Sequence, residues 1–218
     1  LRAAAHAQDD PPVTAFLIER GQSARTIGEN LEAAGLIDSA FFLRLSLRLS
    51  GRAADIQAGE YAIPASAGLD EIVDIITSGQ VIQYSVTIPE GLTSWQVVEL
   101  LRANGDLQGE IVEIPAEGSL LPETYAFTTG DTRQDILDRA AAAMAQTLAE
   151  LWGARAPTTA VATPAEAAIL ASIIEKETGV GSERGLVASV YSNRLRTPGW
   201  RLQADPTLIY GLTDGRMD

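Results

Sequence analysis

An α+β fold is what this sequence predicts, with a small strand–helix module ahead of a larger mixed α/β domain. Three observations lead there. An internal repeat aligns "FLIERGQSARTIGENLEAAGL" (16–36) with "VTIPEGLTSWQVVELLRANG" (86–105), matching Ile18 to Ile88, Gly21 to Gly91, Ser23 to Thr93, Ile27 to Val97, Leu31 to Leu101 and Gly35 to Gly105. Each copy passes from the alternating period of a strand, through a glycine turn, into the period of an amphipathic helix. Helical periods then dominate the remainder, with one further clear strand, "AGEYAIP" (58–64). Two copies are too few for a solenoid, so the repeat reads as a duplicated strand–helix unit.

The elements follow in order. "LRAAAHAQDDPP" (1–12) reads as a flexible lead-in, of the kind left after a membrane anchor or signal segment is missing. In the first repeat copy Ser23 is the expected N-cap, and in the second Thr93; Gly35 and Gly105 are the expected helix ends. Residues 39–50 read as a helix with Phe41, Phe42, Leu45 and Leu49 as its apolar stripe, and "LDEIVDIITSG" (69–79) as a helix closed by Gly79. Residues 13–80 thus make one module and 81–218 a second domain. The stretch 106–134 reads as irregular and rich in glycine and proline, and an Ala-rich helix covers 134–152. Thr163-Pro164-Ala165-Glu166 is a capping box with proline at the first helical position, opening a helix from 164 to about 178 that stops at Gly179. A further helix spans 183–196, with Leu186, Val187, Val190, Tyr191 and Leu195 on one face, and Pro198-Gly199 then turns the chain. The last residues, "GLTDGRMD", offer no helix or strand to tie the end down.

Composition narrows the chemistry. The 218 residues are 46% hydrophobic and 21% charged, the balance of an ordinary soluble protein. A formal charge of −13 leaves nothing to neutralise phosphates, which argues against nucleic acid and equally against docking on anionic lipid. A neutral polymer such as a glycan is compatible. There is no cysteine and a single histidine, His6, in the lead-in, which excludes thiolate, Ser-His-Asp and His-rich metal chemistry. No stretch approaches the ~20 apolar residues of a membrane span.

The segment "ILASIIEKETGVGSERG" (169–185) runs apolar and then presents two carboxylates, Glu175 and Glu177. On a wheel with Leu170 at zero, Ile173 falls near −60°, Ile174 near +40° and Glu177 near −20°, in the middle of the apolar stripe. Glu175 falls near 140°, on the polar side, where it reads as a solvated or paired surface residue. A carboxylate on a core-facing stripe loses hydration, which raises its pKa towards the ~6–7 that suits a general acid. The competing readings are a buried salt bridge to an arginine of 183–201 and a helix that frays before Glu177.

"ASIIEKETGVGSERGLVASVYSNRLRTPGWRLQADPTLIYG" (171–211) closely resembles the signature of the YceG-like family, the MltG-type endolytic murein transglycosylases. "LLPETYAF" (120–127) resembles the family's upstream F-P-D-T-Y element, and the 13–80 module resembles its LysM-like N-terminal domain. The resemblance implies a LysM-like module followed by a YceG-like catalytic domain that is C-terminally incomplete, because the family pattern continues beyond "DPTLIYG" into a segment with a Y-N-T-Y-like element. It implies cleavage of the β-1,4 bond between N-acetylmuramic acid and N-acetylglucosamine, the muramic C6 hydroxyl attacking to leave a 1,6-anhydro end. Glu177 matches the family's catalytic glutamate. Asn193, Gln203 and Asp205 match polar positions of the signature and become candidates for the sugar cleft; read alone, Asn193 is a surface residue and Asp205 a turn residue. Glu123 and Tyr125 are candidates for a cleft wall, Tyr125 against a sugar face or packed beneath a loop. Glu175 is retained as a candidate substrate contact, and Arg184 or Arg194 as a group orienting Glu177.

An intramolecular attack needs no enzyme nucleophile, metal or cofactor, so one glutamate can serve as acid and then base. The implied partners are peptidoglycan strands and wall synthesis enzymes such as penicillin-binding proteins, with no nucleic acid and with the membrane met only through an absent N-terminal anchor. The implied location is the bacterial inner membrane, catalytic part in the periplasm. Two alternatives stand beside this: a non-catalytic peptidoglycan-binding or scaffold protein, and a glycoside hydrolase using a second carboxylate such as Asp205.

Overall fold

A computed structural model of the chain describes residues 12–216; the lead-in read over 1–12, His6 included, lies outside the described residues except for Pro12. The chain is α+β, with twelve regular elements among those residues: β1 (Val13–Ile18), α1 (Ala24–Ala33), α2 (Ala40–Ser50), β2 (Gly59–Pro64), α3 (Leu69–Ser78), β3 (Tyr84–Thr87), α4 (Ser94–Ala103), β4 (Thr124–Phe127), α5 (Arg133–Gly153), α6 (Pro164–Glu177), α7 (Arg184–Arg196) and α8 (Asp205–Thr213). They divide into a first unit, residues up to Tyr84 with Thr128–Gly130, and a second, Ser85–Phe127 with Asp131 onward.

In the first unit β1 and β2 pair antiparallel, from Val13 opposite Pro64 to Ile18 opposite Gly59. One face of the pair and three helices bury Phe16, Ile18, Ile27, Leu31, Ile37, Leu43, Leu47, Tyr61, Ile63, Ile72, Val73 and Ile76. The helix over 39–50 forms, but on the other face. Its buried residues are Ala40, Leu43 and Leu47, while Phe41 and Phe42 (each 57% exposed), Leu45 (40%) and Leu49 (79%) face solvent. The helix carries two apolar stripes, and the period alone does not say which one meets the sheet.

The repeat reproduces itself in three dimensions. Ile18 and Ile88, Ile27 and Val97, and Leu31 and Leu101 are all buried, and Gly21 and Gly91 both take the left-handed backbone. Ser23 accepts from the Thr26 amide at 3.2 Å, and Thr93 from the Gln96 amide at 3.2 Å. The copies differ at their ends. Gly35 is left-handed, as a helix-stopping glycine should be, whereas α4 stops at an extended Asn104, whose side chain accepts from the Asp106 amide.

In the second unit, two stretches read as unstructured are regular. Residues 124–127, inside the irregular 106–134, form β4, which pairs with β3; Ile88 N donates to Glu123 O at 3.0 Å. Gly211, Leu212 and Thr213, expected to lack a helix, end α8. Proline near the first position of α8 is the local cause. The long α5 starts with the box formed by Thr132 and Asp135.

Candidate functional site

The site is built on a helical hairpin of the second unit. Thr163 accepts from the Glu166 amide at 3.2 Å, and Glu166 reaches back to the Ala162 amide, fixing the start of α6. At its other end Thr178 leaves the helix in an extended conformation. The Thr178 side chain is buried, accepts from the Val180 amide at 3.1 Å and donates to the Glu183 carboxylate at 3.1 Å. Arg184, first residue of α7, donates to Glu175 Oε1 at 2.7 Å. The turn between the helices is therefore clasped on both sides.

Beneath it lies a small core. Ile173, Tyr191 and Ala204 are buried, with Leu170, Ile174, Val187 and Leu202 packed around them. Leu170, Ile173 and Ile174 thus form the stripe that the wheel gives. Glu177 does not extend it inward: the residue is exposed. The stripe runs out because α6 ends there and the core under it is small, with Ile173, Tyr191 and Ala204 its buried members among the described residues, so the expected loss of hydration does not occur. Among the described residues no ion pair joins Glu177 to an arginine, and Arg184 pairs with Glu175. Arg194 lies 5.5 Å from the Tyr191 ring centre and donates to the Leu202 carbonyl.

Tyr191 is the residue that sequence reasoning missed. Its phenol is pushed up from 10.0 to about 12, first by burial, then by a hydrogen bond to Glu177 and the charge of Glu177, with Asp205 adding to the rise and Arg194 opposing it. The Tyr191 hydroxyl thus keeps its proton beside the Glu177 carboxylate, and Asp205 lies within electrostatic reach of the same hydroxyl. The signal was present in the sequence: a tyrosine on an apolar stripe requires an acceptor when buried, and Glu177 is the acid of the facing helix stripe.

The other candidates divide. Asp205 is exposed in the first turn of α8, where the helix dipole favours a carboxylate. Gln203, exposed two residues earlier, holds φ 52, a left-handed conformation rare for a non-glycine side chain and often tied to function. Asn193 is exposed, its Oδ1 accepting from Arg196 at 3.5 Å. Glu175 is half-buried and committed to Arg184. Tyr125 is 8% exposed, with its hydroxyl donated to the Leu121 carbonyl at 2.7 Å, so its ring faces are covered. Glu123 is exposed and accepts from the Thr124 amide. Glu177 and Asp205 both act on the Tyr191 hydroxyl, whereas Glu123 and Tyr125 hydrogen-bond within their own segment, to Thr124 and Leu121. Among the described residues no group of three or more His, Cys, Asp or Glu is arranged to hold a metal. A shallow hollow of about 290 Å³, lined by Ile169, Leu195, Glu166 and core residues Leu170, Ile173 and Leu202, opens on the same hairpin.

The sequence model of the YceG-like family matches residues 16–218. The chain belongs to the YceG-like family. Among its relatives, the endolytic murein transglycosylase of Bacillus subtilis is 25% identical over 224 residues, covering 88% of this chain and 61% of the relative. The protein of the same name from Streptococcus pneumoniae D39 is 24% identical over 238 residues, covering 88% of this chain and 42% of the relative. The chain therefore spans about half of the length of the curated relatives it matches. A solved YceG-like structure from Listeria monocytogenes is 22% identical, covering 96% of this chain and 78% of that one, with a TM-score of 0.41.

Proposed function

We propose that this YceG-like chain carries the acid/base of an endolytic peptidoglycan transglycosylase, with Glu177 in that role. The observation that carries the reading is the Glu177 carboxylate itself, open to solvent at the end of α6 and beside the Tyr191 hydroxyl. An exposed acid can meet a polymer, and a neutral hydroxyl beside it is a group it can exchange hydrogen bonds with. In the reaction, protonated Glu177 gives its proton to the glycosidic oxygen as the bond from muramic C1 breaks. The resulting carboxylate takes the proton of the muramic C6 hydroxyl as that oxygen bonds to C1, closing the 1,6-anhydro ring and regenerating the acid. Asn193, Gln203 and Asp205 supply polar contacts for the N-acetyl and hydroxyl groups.

The first unit supports a companion role. Its β1–α1–α2–β2 order with an antiparallel strand pair suits a LysM-like, glycan-binding module. The setting that fits this substrate is the periplasmic face of the inner membrane, near wall synthesis enzymes. Among the described residues no helix is long and apolar enough to cross a membrane.

Mass spectrometry of digested murein tests the reaction. Anhydro-muropeptides are expected from the full-length protein and at least ~100-fold fewer from Glu177→Gln, the lower range for losing a general acid/base. Unchanged product from that variant would remove Glu177 from the mechanism. A second reading has one observation behind it: Asp205 and Glu177 act on the same hydroxyl, and two carboxylates can run a hydrolysis. Reducing ends labelled from ¹⁸O-water would establish that reading instead.

A further inference from the structure

The helix α2 carries a feature that the reaction does not use. With Phe41 at zero on a wheel, Leu45, Leu49 and Phe42 fall between about 40° and 100°, and the buried Ala40, Leu43 and Leu47 between about 200° and 260°. The core-facing stripe therefore has an equally apolar stripe directly opposite, and that second stripe is 40–79% exposed. Phe41 and Phe42 stand edge to face there, ring centres 5.6 Å apart. Arg44 and Arg48, both exposed, flank it near −60° and −20°. The helix sequence, AFFLRLSLRLS, contains no acid, and among the described residues neither arginine has an ion-pair partner.

We infer that α2 is a membrane-surface helix, lying in the interface of an anionic phospholipid bilayer. A ridge of two phenylalanines and two leucines fits the boundary between headgroups and acyl chains, and arginines beside such a ridge reach lipid phosphates while their stems stay apolar. A second copy is a poorer occupant. Two-fold pairing of α2 with itself would set arginines against a helix that has no acid to meet them. The charge of −13 opposes an anionic surface only at long range; with a screening length of about 8 Å at physiological ionic strength, the local sign of α2 governs contact. The inference holds whatever reaction the second unit performs.

Flotation of the 218-residue chain with lipid vesicles tests it. Vesicles of phosphatidylcholine containing about 30% phosphatidylglycerol should carry the protein, and pure phosphatidylcholine should carry about 10-fold less or lower still. Phe41→Ser/Phe42→Ser should lower binding to the anionic vesicles at least ~10-fold. Arg44→Gln/Arg48→Gln, at exposed positions that do not build the core, should lower it by ~10-fold there and leave the neutral vesicles unaffected. The inference is overturned if the chain fails to float at millimolar lipid, or if both double variants float as well as the parent. It is also overturned if, without lipid, sedimentation velocity shows a dimer that the phenylalanine variant converts to monomer, since a second copy would then occupy the face.

Discussion

Tyr191 shows how one buried hydroxyl links packing to the site. Its ring belongs to the small core under α6, and its hydroxyl lies within electrostatic reach of the Glu177 carboxylate at the rim. The raised phenol makes a stability prediction with a definite sign. In the unfolded chain the group titrates at its ordinary 10.0 and in the folded protein at about 12. Between those values the folded state holds the proton that the unfolded state has lost, so its contribution is complete below pH 10 and disappears as pH approaches 12. Urea midpoints measured from pH 9 to 12 should therefore fall in the parent, and fall less steeply in Tyr191→Phe. Equal slopes would mean that the hydroxyl is not held as described. Tyr61, Tyr125 and Tyr210 are also pushed up, each chiefly by burial, so the variant retains part of the decline.

At the scale of the element, α2 offers the sharpest contrast. Leu47 is 1% exposed and Leu45 40%, two residues apart on one helix. Leu47→Ala removes buried methyl groups from a packed core and should cost ~2–5 kcal/mol. Leu45→Ala should stay below about 1 kcal/mol, as surface changes do. Denaturant titration of the two variants reads the difference directly, and a reversed order would mean that the other face of α2 is the buried one. The α6–α7 hairpin makes the complementary point. Its clasp is short-range in sequence, Thr178 to Glu183 and Glu175 to Arg184, so both helix boundaries could be read from caps and periods to within a residue or two. The strand β4 could not. Its pairing with β3 spans contacts such as Thr87 to Thr124, 37 residues apart, and nothing within "LLPETYAF" alone demands a strand.

For the whole molecule, two units with separate cores set the expectation. The twelve buried side chains of the first core all lie between Phe16 and Ile76. A fragment covering 12–84 should accordingly fold by itself, giving a dispersed amide spectrum and a cooperative melt. It would lose the hydrogen bond from Thr129 to Glu60, while keeping that from Tyr84 to the same carboxylate. A fragment with collapsed, molten-type spectra would show that this core is insufficient.

Local pattern was enough for the duplicated strand–helix unit, the Ser23, Thr93 and Thr163 caps, the left-handed Gly21, Gly35, Gly79 and Gly91, the helical hairpin over 164–196 and the YceG-like signature. These rest on periods and side-chain–backbone bonds within a few residues, so local pattern suffices to specify them. It also singled out Glu177, through the stripe containing Leu170, Ile173 and Ile174. Tertiary packing settled which stripe of α2 is buried, that Glu177 stays open to solvent, and that the buried Tyr191 lies beside it. Those outcomes depend on how much core lies beneath each helix face and on which distant segment covers it. A periodic pattern gives the direction of an apolar face, and only packing decides whether anything is there to bury it.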